Sequence, residues 1–116
     1  MQQKYRLKSS RAFEFIYKKG VSVSDRNIVL LWIKSRDGGI RAGFTVSRKI
    51  GGSVTRNKIR RRMKEAFRAL IPGINNGYTY VLLARPPIAD ADYRSIRQSI
   101  IKLLIKAGHI SEDILT

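Results

Sequence analysis

The residues best equipped for chemistry in this sequence are cations crowded into one short stretch. Arg48, Lys49, Arg56, Lys58, Arg60, Arg61, Arg62, Lys64 and Arg68 lie there, and Glu65 is the only acid among them. The planar arginine fork pairs bidentately with phosphate, so this run suits a polyanion better than a proton transfer. Ile59, Met63, Ala66, Phe67 and Leu70 recur through the same stretch at helical spacing. At about 100° per residue they gather on one side of a helix, while Asn57, Arg61, Lys64 and Arg68 take the other. Arg60 and Lys58 flank that second side. Like charges on one helix repel, so the arrangement makes sense only with packing beneath it and an anion above. Asn57 adds no charge; it caps the helix start, orients a neighbouring arginine or reads a base edge.

Groups for catalysis by the protein itself are scarce. Without cysteine there is neither a disulfide framework nor a thiolate metal site. His109, the single histidine, has no partner motif and reads as a helix-end residue rather than a base. Asp90 and Asp92 fall near an expected helix start, and Glu112 and Asp113 near the end of the chain. Nothing resembles the acidic cluster that a two-metal protein nuclease needs.

The cations need a scaffold, and 116 residues suit one domain, residues 1–116. A hydrophobic content of 43% supports a real core and argues against a disordered basic tail. Twenty-four Lys and Arg against eight Asp and Glu give a net charge of +16. Soluble surfaces usually mix both signs, so the excess points to nucleic acid first and to an anionic membrane second. Residues 1–8 are polar and basic, unlike a secretory signal. The longest apolar run, residues 28–33, is far short of the roughly 20 that a membrane span requires. A soluble, cytoplasmic protein is expected.

Ser9-Ser10 caps a first helix that runs to about residue 18 and stops at Gly20. Phe13, Ile16 and Tyr17 form its apolar face. A weak strand is expected near residues 21–23, followed by a strand over 27–35 buried on both sides. Asp37-Gly38-Gly39 signals a hairpin, with residues 40–46 as the antiparallel partner and Ala42, Phe44 and Val46 on one face. The basic helix then runs to Leu70 and ends at Pro72-Gly73. A strand over 78–84 follows, parallel to the one before the helix, through a crossover of the kind that is normally right-handed. Asp90 caps a last helix to about residue 107, whose core face holds Tyr93, Ile96, Ile100, Leu103, Leu104 and Ala107. Residues 111–116 extend this helix or fray. The order α-β-β-β-α-β-α predicts an α+β sandwich of one sheet against helices.

The run Arg56-Asn57-Lys58-Ile59-Arg60-Arg61-Arg62-Met63-Lys64-Glu65-Ala66-Phe67-Arg68 resembles the arginine-asparagine-arginine helix of bacterial ribonuclease P proteins. Its lead-in, Arg41-Ala42-Gly43-Phe44-Thr45-Val46-Ser47-Arg48-Lys49-Ile50-Gly51, is similar to that family's glycine-valine-serine-lysine-lysine segment. Arg6-Leu7-Lys8, Phe13, Tyr17, Gly20 and Arg26 match in order and spacing, and the resemblance covers about residues 5–107. It implies a fold like ribosomal protein S5 domain 2, with a left-handed crossover through the basic helix. It also implies an accessory subunit of the ribonucleoprotein endonuclease that removes 5′ leaders from precursor tRNA, with RNA as the catalyst and Mg2+ held mainly by RNA phosphates. No obligate protein partner is expected.

By the same resemblance, Arg48, Lys49, Arg56, Asn57, Arg60, Arg61, Lys64 and Arg68 face the catalytic RNA. Phe13, Tyr17, Trp32, Phe44 and Ser47 belong to a cleft for the single-stranded leader, where aromatics stack on unpaired bases. Phe13 and Tyr17 could equally be core residues, as aromatic pairs on apolar helix faces usually are. Two departures stand out. Leu31 occupies a strand position where relatives often carry an aromatic, with Trp32 beside it, and Lys64 replaces a common arginine. Rival readings are another RNA-binding module such as a ribosomal protein or RNA chaperone, a nuclease acting alone, and a binder of acidic lipid.

Overall fold

A computed structural model of the chain describes residues 1–75 and 77–111. Three helices, α1 (Ser10–Lys19), α2 (Ser53–Leu70) and α3 (Tyr93–Ala107), alternate with four strands. These are β1 (Val21–Ser24), β2 (Ile28–Lys34), β3 (Arg41–Thr45) and β4 (Tyr78–Ala84), in the α-β-β-β-α-β-α order that the sequence predicts. Ser9 caps α1 by accepting a hydrogen bond from the Ala12 amide, and Gly20 closes it.

The sheet order is β1-β2-β4-β3. β4 therefore lies between the two strands expected to form a hairpin: it pairs antiparallel with β2 and parallel with β3. The hairpin is corrected, whereas the parallel β3-α2-β4 unit holds. The turn itself exists, since the Asp37 carboxylate accepts from the Gly39 amide and Gly38 takes a left-handed φ of 75°. Turn chemistry reverses the chain but does not choose the neighbour. Residues 35–40 bridge the two sheet spacings, about 10 Å, and leave the central slot to the more apolar β4.

β2 is buried on both faces, as expected. Ile28, Leu30 and Trp32 join Tyr80, Leu82, the apolar side of α2 and that of α3 in the main core. On the opposite face Leu31 and Val81 pack with Ile16 of α1, flanked by Leu7, Phe13, Val29, Ile33 and Leu83. Ile59, Met63, Ala66, Phe67 and Leu70 are all buried. In α1 only Ile16 of the expected apolar face is buried, and Tyr17 is 42% exposed.

The cap of α3 is Asp92, not Asp90; its carboxylate accepts from the Ser95 amide at 2.8 Å. Pro86-Pro87 starts a 3-10 turn over Pro86–Asp90 that uses up the earlier residues. Tyr93 is exposed rather than core, because at the first helical position the side chain leans past the helix end. The remaining core face of α3 is buried or half-buried as expected. Gly108 ends the helix with φ 80°, so Ser111 does not extend it; residues 112–116, including Glu112 and Asp113, lie outside the described residues. His109 follows that cap and is only 5% exposed. Its Nδ1 bonds the Tyr80 hydroxyl at 2.9 Å and its ring stacks on Tyr78.

Candidate nucleic-acid interface

Burying the apolar side of α2 turns the cations outward. Asn57, Lys58, Arg61 and Arg68 are exposed, and Arg56, Arg60 and Lys64 are half-buried. Arg48 and Lys49 are exposed on a single 3-10 turn that Ile50 anchors in the core. Gly52 occupies the cap of α2 without a side-chain bond, which removes capping from the roles of Asn57. Its Oδ1 instead accepts from Arg60 Nη1 at 2.9 Å, holding that guanidinium in place.

Among the described residues, only two ion pairs form: Arg41 with Asp37, and Arg68 with Glu65 at 3.0 Å. The rest of the row keeps its charge without an acid partner. Arg62 is set apart, because its Nη1 donates to the Ala91 carbonyl at 3.2 Å and ties α2 to the approach of α3. Arg56 has its Nε buried without a hydrogen-bond partner. The Lys64 ammonium is shifted below the ordinary lysine pKa by burial first, then by the nearby charges of Arg6 and Arg60. A phosphate beside it would offset both causes.

The α1 side of the sheet supplies an aromatic wall. Phe13 lies against the backbone of β3: a Cβ built on Gly43 would stand 2.2 Å from its ring. Tyr17 reaches the end of that strand, its hydroxyl 2.9 Å from Thr45 Oγ1. The two rings are 6.5 Å apart. A groove of about 370 Å3 runs from Phe13 over Gly43 and Phe44 to Arg60 and Lys64, with Arg6 and Lys8 on its rim. One wall is aromatic and the other cationic.

The structure does not gather every expected cleft residue. Trp32 is only 9% exposed and lies in the main core, edge-on to His109 at 4.8 Å. It is on the face away from α1, where Leu31 takes the inward position, so it cannot replace the missing aromatic. Phe44 also points to the α2 side, 6.0 Å from Phe67, and touches the groove only because β3 is an edge strand. Ser47 is exposed just before the Arg48–Ile50 turn. Arg6, Lys8 and Thr45 were not among the expected site residues. The Leu7 amide donates to the Ala42 carbonyl and brings Arg6 and Lys8 to the groove. Thr45 was legible in the alternation that puts Ala42, Phe44 and Val46 on the opposite face.

No three His, Asp or Glu side chains come together as a metal site among the described residues. Several acids have local tasks. Asp25 accepts from the Asn27 and Ile28 amides, Asp37 and Glu65 pair with arginines, and Asp92 caps α3. These donors do not fit a resident metal.

The Ribonuclease P family matches residues 1–108. The chain is similar to the ribonuclease P protein component of Symbiobacterium thermophilum, 38% identical over 114 residues, covering 97% of this chain and 99% of the relative. Similarity to the ribonuclease P protein component of Caldanaerobacter subterraneus subsp. tengcongensis is 41% over 101 residues, covering 87% of each. Among solved structures, the Staphylococcus aureus RNase P protein superposes with a TM-score of 0.85 at 33% identity, covering 92% of this chain and 98% of that one. The Thermotoga maritima RNase P protein does so with a TM-score of 0.80 at 30% identity, covering 87% and 96%.

Proposed function

This chain belongs to the ribonuclease P protein family, and from that premise we propose how its two surfaces share the work. It is the protein component of ribonuclease P, an accessory subunit of the endoribonuclease that matures tRNA 5′ ends, and it partners the RNase P RNA. In our reading Arg48, Lys49, Arg56, Asn57, Arg60, Arg61, Lys64 and Arg68 face that RNA. Phe13 and Tyr17, with Thr45, Arg6 and Lys8 beside them, receive the unpaired leader of precursor tRNA. The observation carrying this reading is the groove with Phe13 on one wall and Arg60 and Lys64 on the other. Ring faces suit bases and guanidinium suits phosphates, so a strand lying in it would touch both kinds of group. Phe44 lines the groove from the edge strand, Ser47 lies beyond it before the Arg48–Ile50 turn, and Trp32 belongs to the core.

RNA supplies the catalytic centre in this reading, with Mg2+ held by its phosphates; the protein positions the substrate. A ridge that has lost little charge to internal acids lowers the electrostatic cost of bringing two RNAs together. The cytoplasm is the expected compartment, and among the described residues no helix is long and apolar enough to cross a membrane. The test is cleavage of a precursor tRNA with and without bacterial RNase P RNA. The protein should be inert alone and should let the RNA cleave at low Mg2+. Cleavage by protein alone, or no help to the RNA, contradicts the proposal.

A further inference from the structure

A second groove lies on the other flank of α1 from Tyr17. It measures about 730 Å3 and runs between Ala12 and Phe15 of α1 and the ends of the strands at Ile33, Arg41 and Thr79. Phe15 and Tyr17 are two residues apart, roughly 200° around the helix, so the groove opens on a different flank of α1 from the Phe13 groove and meets it only at Leu7. Phe15 stands at its lip, 53% exposed. A lone exposed aromatic means little. Here it is accompanied by exposed Arg11, Lys34 and Arg36 around an apolar floor. Arg11 is one turn before Phe15, on the same face of the helix. The only acid lining the groove, Asp37, is already paired with Arg41.

We propose that this groove is a second RNA site, taking an unpaired nucleotide whose base stacks on Phe15 while Arg11 and Arg36 hold the adjoining phosphates. The charge selects the occupant: an apolar peptide or lipid tail would gain from the floor but not from three unpartnered cations around it. A nucleotide uses both. The volume also falls within the range of about 300–1,000 Å3 typical of small-ligand sites. The proposal rests on the RNA-binding reading above but does not require the leader to lie in the Phe13 cleft.

The experiment uses the full chain and a short unstructured oligoribonucleotide carrying 4-thiouridine, with RNase P RNA binding measured alongside. Ultraviolet cross-links should map to the peptide containing Arg36, a residue that lines this groove and not the Phe13 groove. Phe15→Leu should weaken oligonucleotide affinity by at least about 5-fold, the low end for a lost base–aromatic stack. Phe15→Trp should restore it, and RNase P RNA affinity should remain at the wild-type value in both variants. If the wild type binds RNase P RNA but yields no cross-link in this peptide, the second site is refuted and the first reading stands. Wild-type affinity in Phe15→Leu also refutes it, since the contact would then be merely apolar. Failure to bind either RNA would overturn both readings.

Discussion

Replacing Gly43 by alanine isolates the seat of Phe13. Gly43 has no positive φ, so alanine in the same extended backbone should stabilise the chain by about 0.4–1 kcal/mol through the unfolded state. Against this, the new Cβ would stand 2.2, 2.6 and 3.2 Å from three atoms of the Phe13 ring, its three nearest neighbours. Carbon atoms rest at about 3.5–4.0 Å, so the ring must withdraw by more than 1 Å, an overpacking that costs roughly 1–3 kcal/mol. Overpacking wins, and Gly43→Ala should be net destabilising by about 0.5–2 kcal/mol. In a Phe13→Ala background the obstacle is gone, and the same substitution should become neutral or stabilising. Urea unfolding followed by the fluorescence of Trp32, the single tryptophan, gives all four stabilities of the cycle. Gly43→Ala should also weaken binding of precursor tRNA more than mature tRNA. Equal cost of the substitution in both backgrounds would refute the close approach of ring and backbone.

Other consequences distinguish residues that look alike in sequence. Arg61→Ala should lower the log–log salt slope of RNase P RNA binding by about 0.7–0.9 per lost phosphate contact, while Arg62→Ala should mainly cost stability, about 1–2 kcal/mol; salt titration and urea unfolding of both variants check the split. Asp92→Ala should lower the Tm through loss of the α3 cap, whereas Asp90→Ala should leave it unchanged, and thermal melts decide. Burial pushes the His109 pKa down, so at pH below its ordinary value the unfolded chain binds more protons and stability falls as pH drops. His109→Gln should flatten that fall between pH 7.5 and 5 in urea unfolding; parallel profiles would assign the pH dependence to other groups.

The cationic ridge was legible because α2 has one apolar face, and a 3.6-residue period then fixes the opposite side. No such mark exists on β2. Both its faces are apolar, so alternation cannot say which side meets α1, and Trp32 fell on the side of Ile28 and Leu30. The insertion of β4 between β2 and β3 was hidden for a related reason: Asp37-Gly38-Gly39 encodes a reversal, and pairing is decided by a strand distant in sequence. Arg62 carried a readable hint. It lies three residues after Ile59 and four before Ala66, beside the buried stripe rather than opposite it. Asp90 misled because the double-proline turn displaces the helix start by two residues.

We propose that the outward side of α2 meets the RNase P RNA. Because the chain has no cysteine, a hydroxyl-radical reagent can be tethered at one engineered position. Val54 is 82% exposed on that side of α2, and Gln98 is exposed on α3. Reagent on Val54→Cys should cut the bound RNase P RNA at discrete positions, and reagent on Gln98→Cys should leave those positions intact. Cuts from Gln98→Cys with none from Val54→Cys would place the RNA on another face and contradict the account.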